Sequence, residues 1–410
     1  MKVGIESLNL YGGMTSLDVR TLFQARKLNM DRFENLMMAQ KGVALPCEDS
    51  VSNGVNAAKP IIDQLSDKER NRIEMVIACS ESGLDFGKAM STYFHDYLNL
   101  NRSCRLFEVK QACFAGTAAL QMAINTIASG ASPGGKVLVV ATDMARAASR
   151  LSYAEPSQGT GAVAILVSDQ PHILEIDFGA NGLYGQEVMD TCRPQPDMET
   201  GDPDLSLLSY LEALEHCWRN YESKVDGAHF TETFDYLGFH TPFGGMVKGA
   251  HRKLMRKLYR AKGPVIDEDF QRRVSPSLHY CMQVGNVYSA TLYFALCGII
   301  DRANLQGPQR IGLFSYGSGC SAEFFSGLTT DQSQARMEKM EIGRKLADRY
   351  CLNMEEYDHL LDLSMEWRFG LKDKEVDFGA ISHIYRSHLE GKGLLLLKKI
   401  DNFHREYVWT

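Results

Sequence analysis

Ten cysteines stand at positions 47, 79, 104, 113, 192, 217, 281, 297, 320 and 351, yet no two of them form a CxxC pair. That absence removes the signature of a zinc site or a disulfide framework, so no metal is expected and most of these thiols read as small buried hydrophobes. No window approaches eighteen uninterrupted apolar residues, which argues against a membrane-spanning helix. Positive charge is not in excess either: 44 Lys and Arg face 51 Asp and Glu, a net charge of -7, which argues against a nucleic-acid scaffold. The opening run Met1-Lys2-Val3-Gly4-Ile5-Glu6 lacks the charged-then-apolar layout of a secretion signal. It predicts a first strand, and a cytoplasmic location is expected. No low-complexity linker interrupts the 410 residues, 44% of which are hydrophobic. One compact, internally duplicated unit is therefore expected rather than separate beads.

What is present is a cysteine in a telling position. In Glu108-Val109-Lys110-Gln111-Ala112-Cys113-Phe114-Ala115-Gly116-Thr117, Cys113 sits between an extended segment and a helix of small residues. A thiol at a helix start meets the positive end of the helix dipole and unpaired N–H groups. The position predicts a thiolate nucleophile with oxyanion donors close by.

Strands and helices alternate along the chain, the pattern of a layered α/β fold. Strands are predicted at 72–79, 136–141, 161–168, 172–176, 310–315 and 321–325, and a helix buried all round at 115–128. Strands that end in glycine-rich turns in both halves suggest duplication, with a division at 1–168 and 169–410. From about residue 331 the text turns charged and helical, and peripheral helices are expected over 334–349 and 354–363.

Three polar residues stand at predicted strand ends or turns: Glu81, Cys113 and His240. They supply a carbon-acid base, an acyl acceptor and a donor able to polarise a carbonyl. Taken singly, Glu81 also reads as a strand-end cap and His240 as a satisfied loop histidine. A second feature is a basic stripe: Lys248, Arg252, Lys253, Arg256, Lys257, Arg260 and Lys262 with no acidic residue between Met246 and Gly263. Arg252, Arg256 and Arg260 recur every fourth residue, on one helix face. A solvated face is the plainer reading, but nearness to His240 favours docking of an acidic partner.

Five ordered segments resemble the motifs of 3-hydroxy-3-methylglutaryl synthases: Ala78–Gly83, Gln111–Leu120, Phe239–Phe243, Gln283–Tyr288 and Phe314–Gly319. The resemblance implies the thiolase fold, α/β in five αβαβα layers with two pseudo-repeated halves, and a homodimer. Within that family Gly244–Arg252, Tyr153–Ser157 and Val188–Pro194 are most similar to the branch that installs β-branches in polyketides on acyl carrier proteins. The coenzyme A enzymes of the family usually carry lysine where Gly245 stands, and many relatives have tyrosine where Phe114 stands.

The resemblance further implies Cys113, Glu81 and His240 as catalytic, and Asn286, Ser318, Asp143, Tyr153 and Asp190 as substrate or oxyanion residues. Lys248, Arg252, Arg256 and Arg260 are implied as contacts to a carrier protein or its phosphopantetheine. No tightly bound cofactor is expected; the substrates would be phosphopantetheine-linked acyl thioesters on donor and acceptor carrier proteins. The alternative is a hydroxymethylglutaryl-coenzyme A synthase of primary metabolism.

Overall fold

The structure is a computed structural model that describes residues 2–145 and 149–410. Met1, part of the expected first strand, lies outside the described residues. Nine strands form the main sheet: β1 (Gly4–Tyr11), β2 (Ile73–Cys79), β3 (Arg105–Val109), β4 (Lys136–Met144), β5 (Thr160–Ser168), β6 (Leu174–Gly185), β7 (Tyr236–Phe239), β8 (Arg310–Gly317) and β9 (Ser321–Thr329). Their order is β7-β8-β9-β6-β1-β5-β4-β2-β3.

The order contains a repeat. In one half β1 and β5 pair antiparallel, as do β5 and β4, and β4 runs parallel to β2. In the other half β6 and β9 pair antiparallel, as do β9 and β8, and β8 runs parallel to β7. The halves meet where β1 and β6 share the short register Gly4↔Glu175 and Ile5↔Leu174. This repeat makes β2 and β7 counterparts, and Glu81 and His240 directly follow them.

β4 and β5 are mostly apolar, β-branched runs because layers cover both of their faces. Every residue of β5 and the first eight of β4 are buried. Helix α1 (Ser50–Ile62) packs on β1, β4 and β5, and α3 (Pro203–Lys224) packs on β6 and β9. Between the halves lie α2 (Ala115–Ala128), packed on β2, β3, β4 and β5, and α5 (Thr291–Arg302), packed on β1, β7 and β8. This is the expected five-layered α/β arrangement. The two inner helices are joined by Thr117 Oγ1 and Tyr293 Oη at 2.9 Å. A β-carbon on Gly116 would lie 2.4 Å from the Ser289 carbonyl oxygen, so only glycine permits this approach.

The segment beyond 331 holds helices at Ser333–Glu338, Ile342–Ala347 and Met354–Ser364, but strands as well. Tyr350–Leu352 runs parallel to Thr15–Asp18, and Leu395–Asp401 pairs with Lys374–Glu375 and His404–Trp409. The expectation of helices alone is corrected here. Leu395, Leu396 and Leu397 are fully buried in the main core, so the segment is knitted in by apolar packing.

Candidate active site

One cavity of about 1290 Å³ collects the strand-end residues. Its walls include Glu81, Cys113, Tyr153, His240, Asn286 and Ser318, which lie far apart in sequence. The pseudo-repeat explains the convergence. Glu81 and His240 leave counterpart strands, while Cys113 and Asn286 precede the two inner helices.

Cys113 Sγ lies 3.9 Å from Glu81 Oε2. The preceding Ala112 has φ +44°, a left-handed conformation that costs a non-glycine residue about 1 kcal/mol and is held by the surrounding packing. Strand β8 presses on this turn: a β-carbon on Gly317 would meet the Phe114 nitrogen at 2.6 Å. That approach sets Ser318 beside the nucleophile's loop.

Burial pushes the Cys113 thiol well above its ordinary value, and the neighbouring Glu81 charge pushes it the same way. The expected thiolate is therefore corrected: desolvation outweighs the helix start, and the resting group is a thiol. Glu81 is itself raised to about 8, first by burial, with Arg193 opposing and Asp143 and Glu199 adding to the rise. His240 is buried and pushed down to about 3 by desolvation, so it is neutral. Its Nδ1 has no hydrogen-bond partner among the described residues.

Asn286 Oδ1 accepts from Tyr288 N and Thr291 Oγ1, both at 2.9 Å. A backbone N–H must face an oxygen, so the network orients this amide and leaves its NH2 as the end without a partner among the described residues. Tyr153 stands exposed on the cavity rim.

Family models for the N-terminal and C-terminal parts of hydroxymethylglutaryl-coenzyme A synthase match residues 2–171, and residues 174–265 and 255–409. The chain belongs to the hydroxymethylglutaryl-coenzyme A synthase family. It is 54% identical over 418 aligned positions to the Bacillus subtilis (strain 168) protein named polyketide biosynthesis 3-hydroxy-3-methylglutaryl-ACP synthase PksG, covering 100% of this chain and 99% of that one. To the hydroxymethylglutaryl-CoA synthase of Enterococcus faecalis it is 32% identical, covering 95% and 100%. The crystal structure of the curacin biosynthetic pathway HMG synthase in complex with apo donor-ACP matches it with a TM-score of 0.97 and 57% identity over 100% of both chains.

Two residues implied as substrate contacts have a different place in this synthase. Asp143 is fully buried and does not line the cavity. Its Oδ1 accepts from Ser80 Oγ, Glu81 N and Ser82 N, each at 2.9 Å, and its Oδ2 from Ser289 N at 3.0 Å and from Ser289 Oγ. Asp190 is also buried off the cavity wall, accepting from Tyr316 Oη at 2.7 Å and Gly319 N at 3.0 Å. Both carboxylates are spent on backbone turns, so the substrate-contact expectation is corrected: they brace Glu81 and the Ser318 turn from behind.

The basic stripe begins on α4 (Gly244–Tyr259), with Leu254 and Met255 buried beneath it, but Arg260 ends the helix in a left-handed conformation (φ +51°), so the expectation of one helix face is corrected: the face carries Arg252 and Arg256 and not Arg260. Arg256 and Arg260 are exposed, and Arg252 pairs with Asp267 at 3.2 Å. Lys248 is off the cavity wall, its ammonium 5.7 Å from the Phe270 ring centre. Arg32, Lys88 and Lys110 are instead the lysines and arginines that line the cavity together with Arg193. Sequence reading passed over Arg193 and Glu199, which lie on the polar hairpin Thr191–Gln195 and Met198–Gly201. The one available signal was Arg193 lying within the Val188–Pro194 segment.

Proposed function

We propose that this synthase makes a carbon–carbon bond between an acetyl group carried on Cys113 and the β-keto carbon of a 3-oxoacyl chain on an acyl carrier protein, the β-branching step of polyketide assembly. The observation that carries the reading is the 3.9 Å approach of Cys113 Sγ to Glu81 Oε2 within a cavity that also holds a neutral His240. The Cys113 sulfur attacks the acetyl thioester; its S–C bond forms as the donor's C–S bond breaks, and the thiol proton leaves with the donor thiol. The acetyl methyl then stands within reach of Glu81. A carboxyl poised near neutral pH takes a methyl proton and can return it to the new alkoxide.

His240 and the NH2 end of Asn286 orient and polarise the acceptor carbonyl, as neutral donors that do not quench the enolate. Backbone N–H groups of Cys113 and the Ser318 turn stabilise the thioester oxyanion. Water finally cleaves the Cys113 thioester and leaves a 3-hydroxy-3-carboxymethyl acyl product.

A carrier-bound substrate is supported by the Gly245 position. There a β-carbon would lie 1.8 Å from the Asn35 carbonyl oxygen, so the short helix Asp31–Leu36 occupies the place of the lysine usual in coenzyme A enzymes. The relatives' names point the same way, since PksG is named a 3-hydroxy-3-methylglutaryl-ACP synthase and the curacin synthase was crystallised with donor-ACP. We further read α4 as the carrier-docking face and Tyr153 as a substrate contact at the rim. We read the synthase as a homodimer; among the described strands the sheet ends in two unpaired edges, on β3 and β7, to which a second copy can add a strand. The division of the halves near residue 168, a cytoplasmic location and the lack of a tightly bound cofactor complete the reading.

The test is incubation with acetyl- and acetoacetyl-carrier protein, each against its coenzyme A counterpart, with products weighed by mass spectrometry. Carrier-bound substrates should turn over at least tenfold faster. Equal or faster turnover of both coenzyme A substrates would sink the carrier assignment.

A further inference from the structure

Arg193 has a contact pattern that the proposed reaction has not yet used. Its Nε donates to Glu81 Oε1 at 2.9 Å and one terminal nitrogen to Glu199 Oε2 at 3.0 Å. The guanidinium carbon lies 4.8 Å from the Tyr288 ring centre, and Nη1 is buried without a hydrogen-bond partner among the described residues. With no anchor on that third nitrogen, the placement of Arg193 rests on the two carboxylates and the ring. Glu199 is in turn tied down, accepting from Tyr288 Oη at 3.1 Å and Gln158 Nε2 at 3.0 Å. The hairpin therefore forms a fixed frame around one side of Glu81.

On the other side the thiol of Cys113 meets Glu81 Oε2, not Oε1. The two carboxylate oxygens thus have separate partners. We infer that Arg193 is a positioning residue that divides the labour of Glu81, pinning Oε1 to the hairpin so that Oε2 alone faces the sulfur and whatever acyl group it carries. A carboxylate free to rotate would offer either oxygen in many orientations. A bound one presents a single lone-pair direction, which is what proton removal from a weak carbon acid needs.

Electrostatics give Arg193 a second effect through the same contact. The groups facing Glu81 are Arg193 and Glu199 from the hairpin, Asp143 from the end of β4, Cys113 from the loop before α2, and Tyr288 from the turn before α5. Among them Arg193 is the one cation, and it opposes the burial that holds the proton on Glu81. Glu199 acts in the opposite sense. Removing either partner disturbs the same hairpin, yet the two losses should move the proton affinity of Glu81 in opposite directions.

This inference rests on the proposed role of Glu81 as base, and the experiment separates the two. Acetyl loading of Cys113 and condensation are followed separately, against pH, in the parent and in Arg193→Met, Arg193→Lys, Glu199→Gln and Glu81→Gln. Arg193→Met should load acetyl within about threefold of the parent but condense at least about tenfold more slowly at pH 7, with its acidic limb moved up by about one pH unit. Glu199→Gln should move that limb down, and Arg193→Lys should recover part of the rate by keeping the charge. A limb that stays put in both hairpin variants, or shifts the same way in both, would overturn the inference and leave Glu81 as base. Condensation by Glu81→Gln at the parent rate would overturn both.

Discussion

A β-carbon on Gly245 would lie 1.8 Å from the carbonyl oxygen of Asn35, far inside contact distance. Gly244 is nearly as confined, with Met37 at 2.8 Å from its would-be β-carbon. The glycine pair lets Asp31–Leu36 settle on the start of α4, and that helix carries Arg32 to the cavity wall. Backbone cannot yield to a side chain here as a flexible tip would. Gly245→Lys should therefore displace Asp31–Leu36 and lower turnover of carrier-bound substrates about tenfold or more, with a smaller loss on coenzyme A substrates. Parallel kcat/KM measurements check this; an unchanged ratio would mean that the helix does not serve the carrier.

Asp143 links the Glu81 loop to the turn before α5 through one side chain, since its two oxygens together accept from Ser80, Glu81, Ser82 and Ser289. In Asp143→Asn one of those oxygens becomes an NH2 that faces donors rather than acceptors. The expected loss is about 3 kcal/mol of stability, read from urea denaturation. Condensation should fall more than acetyl loading, because the carboxylate braces Glu81. Equal losses in the two steps would make Asp143 a purely structural residue.

Glu323 gives a pH dependence away from the cavity. It is 3% exposed, accepts from Asn181 at 3.2 Å, and burial raises it to about 7. The folded chain therefore holds this proton while the unfolded chain, with an ordinary glutamate, has already released it. Stability contributed by the protonated form is complete below about pH 4.3 and is lost as pH rises towards 7. Glu323→Gln keeps an acceptor for Asn181 and needs no proton. It should match the parent near pH 4 and exceed it by about 3 kcal/mol at pH 8, measured by denaturation at both pH values. A difference that does not change with pH would show that Glu323 is ionised in the fold.

What the sequence made legible follows from burial. In the runs at 73–79, 136–144 and 160–168 all residues but Glu74 and Met144 are buried, so apolar residues dominate their centres and they read as strands. The helix 115–128 was legible too, since small residues fill it where α5 crosses close by, but the expectation of burial all round is corrected: Met122 is 45% exposed and Asn125 is exposed. Arg193 and Glu199 were harder to see: their hairpin has no apolar period, and its partner Glu81 lies 112 residues away. The state of Cys113 was misjudged because helix position is local and visible, whereas burial and the Glu81 charge arise only on folding. Asp143 and Asp190 could be located but not assigned, since a sequence does not say which side of a turn a carboxylate faces.

The exposed arginines at the C-terminal end of α4, Arg256 on the helix and Arg260 at its cap, supply the last prediction. Arg256 and Arg260 have no ion-pair partner among the described residues, whereas Lys257 is taken by Glu215 at 2.6 Å and Arg252 by Asp267. A shallow groove of about 440 Å³ lined by Arg252, Lys253, Arg256 and Lys257 opens on this face. Surface charges that already have partners gain little from a new one, so free arginines should dominate attraction of an acidic carrier protein. Arg256→Glu with Arg260→Glu should weaken carrier binding about tenfold or more at low salt, chiefly through slower association, and the gap to the parent should narrow as salt rises. Thermal unfolding should hardly change, because both side chains stand in solvent. Unchanged affinity at low salt would move the docking face elsewhere, with Arg32, Lys88 and Lys110 on the cavity wall as the next residues to reverse.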